Sequence, residues 1–299
     1  MTNTYIDPFA YLRAAPGLDT ATVIGNLCRV STNVSAGATS ISLSTPLVSQ
    51  LNQYDQVYIF DGANSEIVTV TAQANALTST ITVSATIFAH SAGTPICSDG
   101  IKGSLASMIW NASADLEAYC RQPLLQASYS NEMLPLRSMR AAVTRDYTLM
   151  LRPKRFPVTA ISAATLVLTE TTVNLDVSKA DIDADAQVVQ FLDMTSTGGA
   201  SGTPFWGIFS PPARQTTPGY VQITYSAGYT YGALPYDVRQ AAIWLTSDLL
   251  ADRRNPTGAA EVGLGKSRVV TRLRGDTSGL SLLALRAYRN LEPYRQKPF

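Results

Sequence analysis

The chain has 299 residues, with 23 Lys or Arg against 22 Asp or Glu and a net charge of +1, long enough for one large domain or two smaller ones. Its three cysteines, Cys28, Cys97 and Cys120, have no CxxC spacing, which excludes a disulfide framework and a zinc site and suits reduced thiols in a cytoplasm. Charged residues make up 15%, against roughly 25% in typical soluble domains, as in a protein that gives much of its surface to neighbours or in a Ser/Thr-rich β protein.

The N-terminus, MTNTYIDPFAYLR, lacks a basic start followed by an apolar run and is not expected to be a signal peptide. No stretch reaches the 18 apolar residues of a membrane span. Tyr5, Phe9 and Leu12 fall on one helical face, and Ala21–Arg29 reads as a second short helix. From Ser31 to Cys97 the only charged side chains are Arg-free: Asp55, Asp61 and Glu66. Four β-like runs occur there, Thr39–Ser44, Asp55–Phe60, Glu66–Thr71 and Ser79–Ser84, with Asp61-Gly62 as a turn between the second and third. They suggest a small β-sandwich or barrel. TSISLS and STITVS begin 40 residues apart, and are read as two similar strands, not a repeat, because two copies are too few.

Helical spacing returns at Ile101 with Leu105, Met108, Ile109, Ala112, Leu116, Tyr119 and Cys120, and Gln122-Pro123 ends it. Arg152-Pro153 and Phe156-Pro157-Val158 turn into a strand, Ala160–Leu168. Residues 171–193 are acidic, with Asp181, Asp183 and Asp185 alternating, and Ser196–Pro218 is loop-like. Val221, Ile223 and Tyr225 alternate with Gln222 and Thr224 as a half-buried strand that breaks at Ala227-Gly228-Tyr229. Leu234-Pro235 then opens a helix bearing Val238, Ala241, Ala242, Leu245 and Leu249, stopped at Asn255-Pro256.

The segment Thr257–Gly279 is basic. Lys266, Arg268, Arg272 and Arg274 interleave with Val269, Val270 and Leu273, the pattern of a β-arm that augments a neighbour's sheet. Leu280–Arg295 forms a last helix with Leu283, Ala287, Leu291 and Tyr294 on one side, followed by the tail to Phe299. Charge is uneven along the chain. Residues 1–98 carry two basic groups against five acidic ones, a net −3, whereas residues 239–299 carry eleven against five, a net +6. Such an end is either a solvated tail or a docking element for an acidic partner or nucleic acid.

Catalytic chemistry finds little support. His90 is the single histidine, lies in a Ser/Ala/Gly-rich turn far from any Gly-flanked serine, and reads as a surface or turn residue. Asp181, Asp183 and Asp185 lack the tight glycine turn of a calcium loop and read as a solvated stretch. Gly263-Leu264-Gly265-Lys266-Ser267 lacks phosphate-loop spacing, since position 260 is Ala. No catalytic, metal or cofactor residue is assigned, and the chain is not expected to be an enzyme.

Five features carry a resemblance: the Tyr11-Leu12-Arg13 start, the helix ending in Tyr119-Cys120-Arg121-Gln122-Pro123, the turn Arg152-Pro153 with Phe156-Pro157-Val158, the strand, Ala-Gly-Tyr corner and Leu-Pro helix, and a last helix near Glu292-Pro293-Tyr294-Arg295. In this order they resemble head–tail connector (adaptor, head-completion) proteins of tailed bacteriophages. The resemblance covers residues 1–30 and 98–299, with residues 31–97 as an inserted β-domain and 280–299 as a C-terminal helix and tail. It implies an α+β fold: an adaptor-type helical bundle with a β-strand element plus the inserted sandwich or barrel.

It further implies a virion neck protein, assembled in the host cytoplasm. Copies would form a ring of twelve (a homododecamer) on the portal and extend the DNA channel, where double-stranded DNA passes without sequence-specific binding. They would help retain packaged DNA and offer a surface to the next neck or tail component, with no membrane and no cofactor. Arg286, Arg289, Leu291, Tyr294, Arg295, Lys297 and Phe299 would contact the portal or another partner, and Asp181, Asp183 and Asp185 would line the channel. The Ser/Thr-rich β region and 14 tyrosines keep a second reading open, a carbohydrate- or receptor-binding phage tail protein.

Overall fold

The computed structural model describes residues 3–15, 24–100, 104–136, 141–143, 148–168, 172–183, 187–191, 219–254, 261–264, 267–270 and 281–296. The chain divides into two compact units. Residues 1–121 and 233–295 form the first, and residues 122–232 with the last four residues form the second.

The first unit contains a six-stranded antiparallel sheet built from β1 (Ile24–Arg29), β2 (Ser40–Ser42), β3 (Gln56–Ile59), β4 (Glu66–Ala72), β5 (Thr80–Val83) and β6 (Pro95–Asp99), in the order β1-β6-β3-β4-β5-β2. It curls into a half-barrel whose edge strands meet at one end, where Val30 bridges Leu43. Ile41, Val57, Ile59, Val68, Val70, Ile81 and Ile96 fill its interior. Four helices among the described residues accompany it: α1 (Pro8–Ala14), α2 (Leu105–Cys120), α3 (Tyr236–Arg254) and α4 (Leu282–Leu291).

The second unit is β structure. β10 (Val158–Leu168) lies between β11 (Thr172–Asn174) and β14 (Gly219–Ala227), and β14 pairs onward with β7 (Ala127–Pro135). A further sheet orders β12 (Ala180–Asp183), β13 (Val188–Phe191), β9 (Leu149–Leu151) and β8 (Ala141–Val143). Leu134, Leu149, Leu151, Leu166, Val189, Phe191, Val221, Ile223 and Tyr225 form one buried core.

The expected helical bundle with an inserted sandwich or barrel is therefore corrected. The chain is mostly antiparallel sheet, in three main sheets of which one is a half-barrel, with four short helices among the described residues. The reason lies in strands of three or four residues, β8, β9 and β11–β13, too short to announce themselves by periodicity. Ala21–Arg29 is no helix in its described part. Asn26 and Cys28 turn inward with period two, and Ile24–Arg29 is β1, paired with β6. Tyr5 is buried with Ile6 ahead of α1, and the helix itself buries Pro8 and Tyr11, while Phe9 and Leu12 are only half-buried. On α3 the buried face runs Val238, Ala241, Ala242, Leu245 and Leu250, one position past the expected Leu249. The last helix stops at Leu291, and Pro293 sits in the 3-10 turn Glu292–Tyr294 that follows.

The half-barrel is also a repeat. Residues 26–45 superpose in bonding pattern on 66–85, and residues 47–60 on 86–99, with Pro46 the extra residue of the first half. Ser44 N–H donates to Arg29 O at 2.8 Å and Ser84 N–H to Thr69 O at 2.7 Å. Leu43 bonds Ser79 O at 2.8 Å, and Val83 bonds Thr39 O at 2.9 Å. Val34 and His90 exchange both backbone bonds at 2.8 Å, and their counterparts Ala74 and Leu51 do so at 2.9 Å. The two similar strands are thus corresponding parts of two modules related by an approximate two-fold axis, with β1–β3 matching β4–β6.

Candidate functional site

Helix α4 has two unlike faces. Ala284, Ala287 and Leu291 are buried within the first unit, where α4 packs on α3 and α2. Ser281 caps it by accepting from Ala284 N–H at 3.0 Å, and its hydroxyl also bonds Asp248 of α3. The other face presents Leu282, 55% exposed, and Leu285, 38% exposed, one turn apart, with Arg286 and Arg289 exposed beside them. Spacings of three, four and seven residues put these four side chains in one stripe.

Beyond α4 the chain is held by an aromatic clasp. Tyr119 of α2 stacks on Tyr288 of α4 with centroids 4.5 Å apart, and its hydroxyl donates to Glu292 at 2.5 Å. The Arg295 guanidinium lies 5.3 Å from the Tyr119 ring centre and 3.7 Å from the Glu292 carboxylate. Burial, and then the bond to Glu292, push the Tyr119 phenol up to about 12. Of the residues assigned to partner contact, Arg286 and Arg289 are exposed, Leu291 is fully buried, and Tyr294 and Arg295 are half-buried. Lys297 and Phe299 lie outside the described residues. No sequence signal pointed to Tyr119 and Tyr288 as a pair, because only the packing of α2 on α4 brings them together.

His90 is not a surface histidine. It is buried, with Nδ1 3.0 Å from Asp61 Oδ2 and Nε2 2.7 Å from Glu66 Oε1. Glu66 is buried too, and accepts the N–H groups of Ile87 and Phe88 at 2.8 and 3.1 Å. Burial alone pulls the imidazole pKa down, but bonds to both carboxylates outweigh it and leave the pKa raised. With both ring nitrogens engaged, the group ties the 86–90 loop to the start of β4.

The three cysteines are buried, and burial pushes their thiols up, Cys28 to about 11 and Cys97 and Cys120 to about 12. Such thiols are poor nucleophiles at neutral pH. Asp181 and Asp183 point out from β12 on one exposed side of the strand, and Asp185 lies outside the described residues. In the basic segment, β15 (Glu261–Leu264) and β16 (Ser267–Val270) pair with each other, and its other residues lie outside the described set.

The strand, corner and helix that carry part of the resemblance are present. Gly228 takes φ +102°, and its N–H donates to Pro157 O at 2.9 Å. In β14, Val221, Ile223 and Tyr225 are buried. The Tyr225 hydroxyl donates to Glu132 at 2.5 Å, and Glu132 accepts Lys154 N–H at 3.0 Å. This carboxylate fastens the Arg152-Pro153 turn to β7.

No protein family and no curated protein matches the chain. Among solved structures, it is similar to a chain in the neck of an empty gene transfer agent particle computed with C6 symmetry, at 18% identity, TM-score 0.31, covering 65% of this chain and 78% of that one. It is also similar to a chain in the virion of a native gene transfer agent particle, at 20% identity, TM-score 0.32, with the same coverage.

Proposed function

We infer that the protein is a structural component of a tailed-phage neck, an adaptor that acts by assembly. The order of elements shared with head–tail connectors supports this reading, and the two-faced helix α4 carries it. A terminal helix that buries one face in its own unit while exposing Leu282, Leu285, Arg286 and Arg289 has a second surface to give away. Apolar side chains beside Arg suit interface cores.

In this reading twelve copies close into a ring by heterologous side-to-side contacts. The ring sits on the portal and continues the DNA channel. Tyr294, Arg295, Lys297 and Phe299 then belong to the end that meets the portal, Arg286 and Arg289 to a face that meets a partner subunit of the assembly, and Asp181, Asp183 and Asp185 to a channel wall that repels passing DNA. Chemistry is not part of the role.

Negative-stain images of the purified protein with the portal of its own particle test this. Rings stacked on the portal's outer end are expected. Protein that stays unbound, or that decorates fibre tips instead, would overturn it in favour of a receptor-binding tail role.

A further inference from the structure

Four turns of the half-barrel share one geometry, and two of them break its rule. Val34-Ser35-Ala36-Gly37, Leu51-Asn52-Gln53-Tyr54, Ala74-Asn75-Ala76-Leu77 and His90-Ser91-Ala92-Gly93 each place their fourth residue in the left-handed region, at φ +83°, +76°, +70° and +91°. In each, that residue's N–H donates to a backbone carbonyl of the other module, Thr86, Val70, Leu47 and Val30 respectively, at 2.7–2.9 Å. At Gly37 and Gly93 an added Cβ would meet nothing within 4 Å, so the backbone angle alone favours glycine. A side chain in this region costs on the order of 1 kcal/mol.

The other pair of turns carries Tyr54 and Leu77 instead, and both side chains stand in solvent, 76% and 83% exposed. The Leu51–Ala74 bridge sets these two turns side by side, and Val48, 82% exposed, follows Leu47, whose carbonyl accepts the Leu77 N–H at 2.9 Å. Strain accepted twice, and at one end of the sheet only, to hold a tyrosine and a leucine in water points to a contact.

The same end holds a cavity of about 490 Å³ lined by Val48, Gln50, Asn52, Asp55, Gln56 and Asp99 among others. Two carboxylates face it, and among the described residues no Lys or Arg lines it. The stripe on α4 is its complement: Leu282 and Leu285 for the apolar rim, and Arg286 and Arg289 for Asp55 and Asp99.

We propose that Tyr54, Leu77 and Val48, with the Asp55/Asp99 cavity, form the socket that receives the exposed face of α4 from a second copy of this chain. One copy thereby offers a socket and a plug on different parts of its surface, which is what a closing heterologous ring needs. The charge imbalance, −3 over residues 1–98 and +6 over residues 239–299, favours this pairing over socket-to-socket contact. The contact rests on the ring reading above.

The test is sedimentation velocity of the full chain over a concentration series. Wild type should associate. Tyr54→Gly with Leu77→Gly installs the residue that the equivalent turns already use, so the melting temperature should hold or rise while association weakens roughly 10- to 100-fold. Arg286→Glu with Arg289→Glu should weaken it similarly, and adding Asp99→Lys should recover part of the loss. Double-glycine protein that associates like wild type overturns the socket while leaving the ring reading intact. Loss of portal or glycan binding with unchanged self-association assigns the surface to another occupant and likewise overturns it. A wild type that stays monomeric throughout, even when mixed with portal, removes the ring reading itself.

Discussion

Asn26 and Glu66 occupy equivalent places in the two modules and do the same work with different charge. Asn26 Oδ1 accepts the N–H groups of Val48 and Ser49 at 2.7 and 2.9 Å, and Glu66 accepts those of the matching Ile87 and Phe88. Each buried side chain pins the loop that precedes a bridging residue, Leu51 in one module and His90 in the other. The neutral amide also donates from Nδ2 to Ser49 O at 3.0 Å, and its module carries a leucine where the other carries His90. The carboxylate comes with an imidazole.

That difference makes the second module titratable. His90→Leu copies Leu51 but leaves Glu66 buried without its partner, which should cost about 3 kcal/mol. Adding Glu66→Asn completes the first module's arrangement and should return at least half of that loss, read from urea unfolding. Because the His90 pKa is raised in the folded state, its stabilisation is fully present below the unfolded value of about 6.5. It is lost as pH rises through the folded value. The double variant should lack that decline, and an unchanged pH profile would remove His90 as its source.

The helical core has a defined seam. Ile109→Ala and Leu245→Ala remove fully or nearly fully buried side chains and should each cost about 2–5 kcal/mol. Leu249 is only half-buried, so Leu249→Ala should cost clearly less than Leu250→Ala. Equal losses at 249 and 250 in thermal unfolding would contradict the observed face of α3.

Gly228 is the corner that turns β14 away from its sheet. A Cβ there would lie 2.5 Å from Leu125 O and 2.6 Å from its carbonyl carbon, at φ +102°. Both faults are backbone clashes that no side chain can relieve. Gly228→Ala should therefore destabilise by more than about 2 kcal/mol, whereas Gly232→Ala, with nothing within 4 Å, should stay within about 0.5 kcal/mol. Chemical denaturation of the pair decides it.

Buried thiols make a probe of opening. With pKa values raised to about 11 and 12, Cys28, Cys97 and Cys120 should resist a disulfide reagent at pH 8 in the native protein. They should label at the rate of unfolding. A fast-reacting thiol in native buffer would mean that one of these cores is open.

Elements with a strong period were legible from residues alone. Val221, Ile223 and Tyr225 alternate as the buried side of β14, and Leu105, Ile109 and Leu116 repeat as the buried side of α2. The Gly228 corner and the Asp61-Gly62 turn announced themselves by residue type, because few residues accept a positive φ. The short strands of the second unit did not, since three or four residues carry too little pattern to separate a strand from a loop. The repeat showed only in TSISLS and STITVS, 40 residues apart, and two similar strands alone did not establish it. Its halves share bonding more than identity, so Leu51 matches His90 and Asn26 matches Glu66 without any likeness in sequence.

The sequence by itself determined where α2, α3 and β14 run, the three unpaired cysteines and the acidic and basic ends of the chain. Local periodicity, backbone preference and charge act over a few residues, so no fold is needed to read them. Only the tertiary structure decided that His90 is a buried tie between Asp61 and Glu66, that Tyr119 clasps Glu292, and that Tyr54 and Leu77 stand together at one end of the half-barrel. Each of these joins residues 23 to 173 positions apart, and such contacts exist only once sheet closure and helix packing have met the entropy cost of bringing distant segments together.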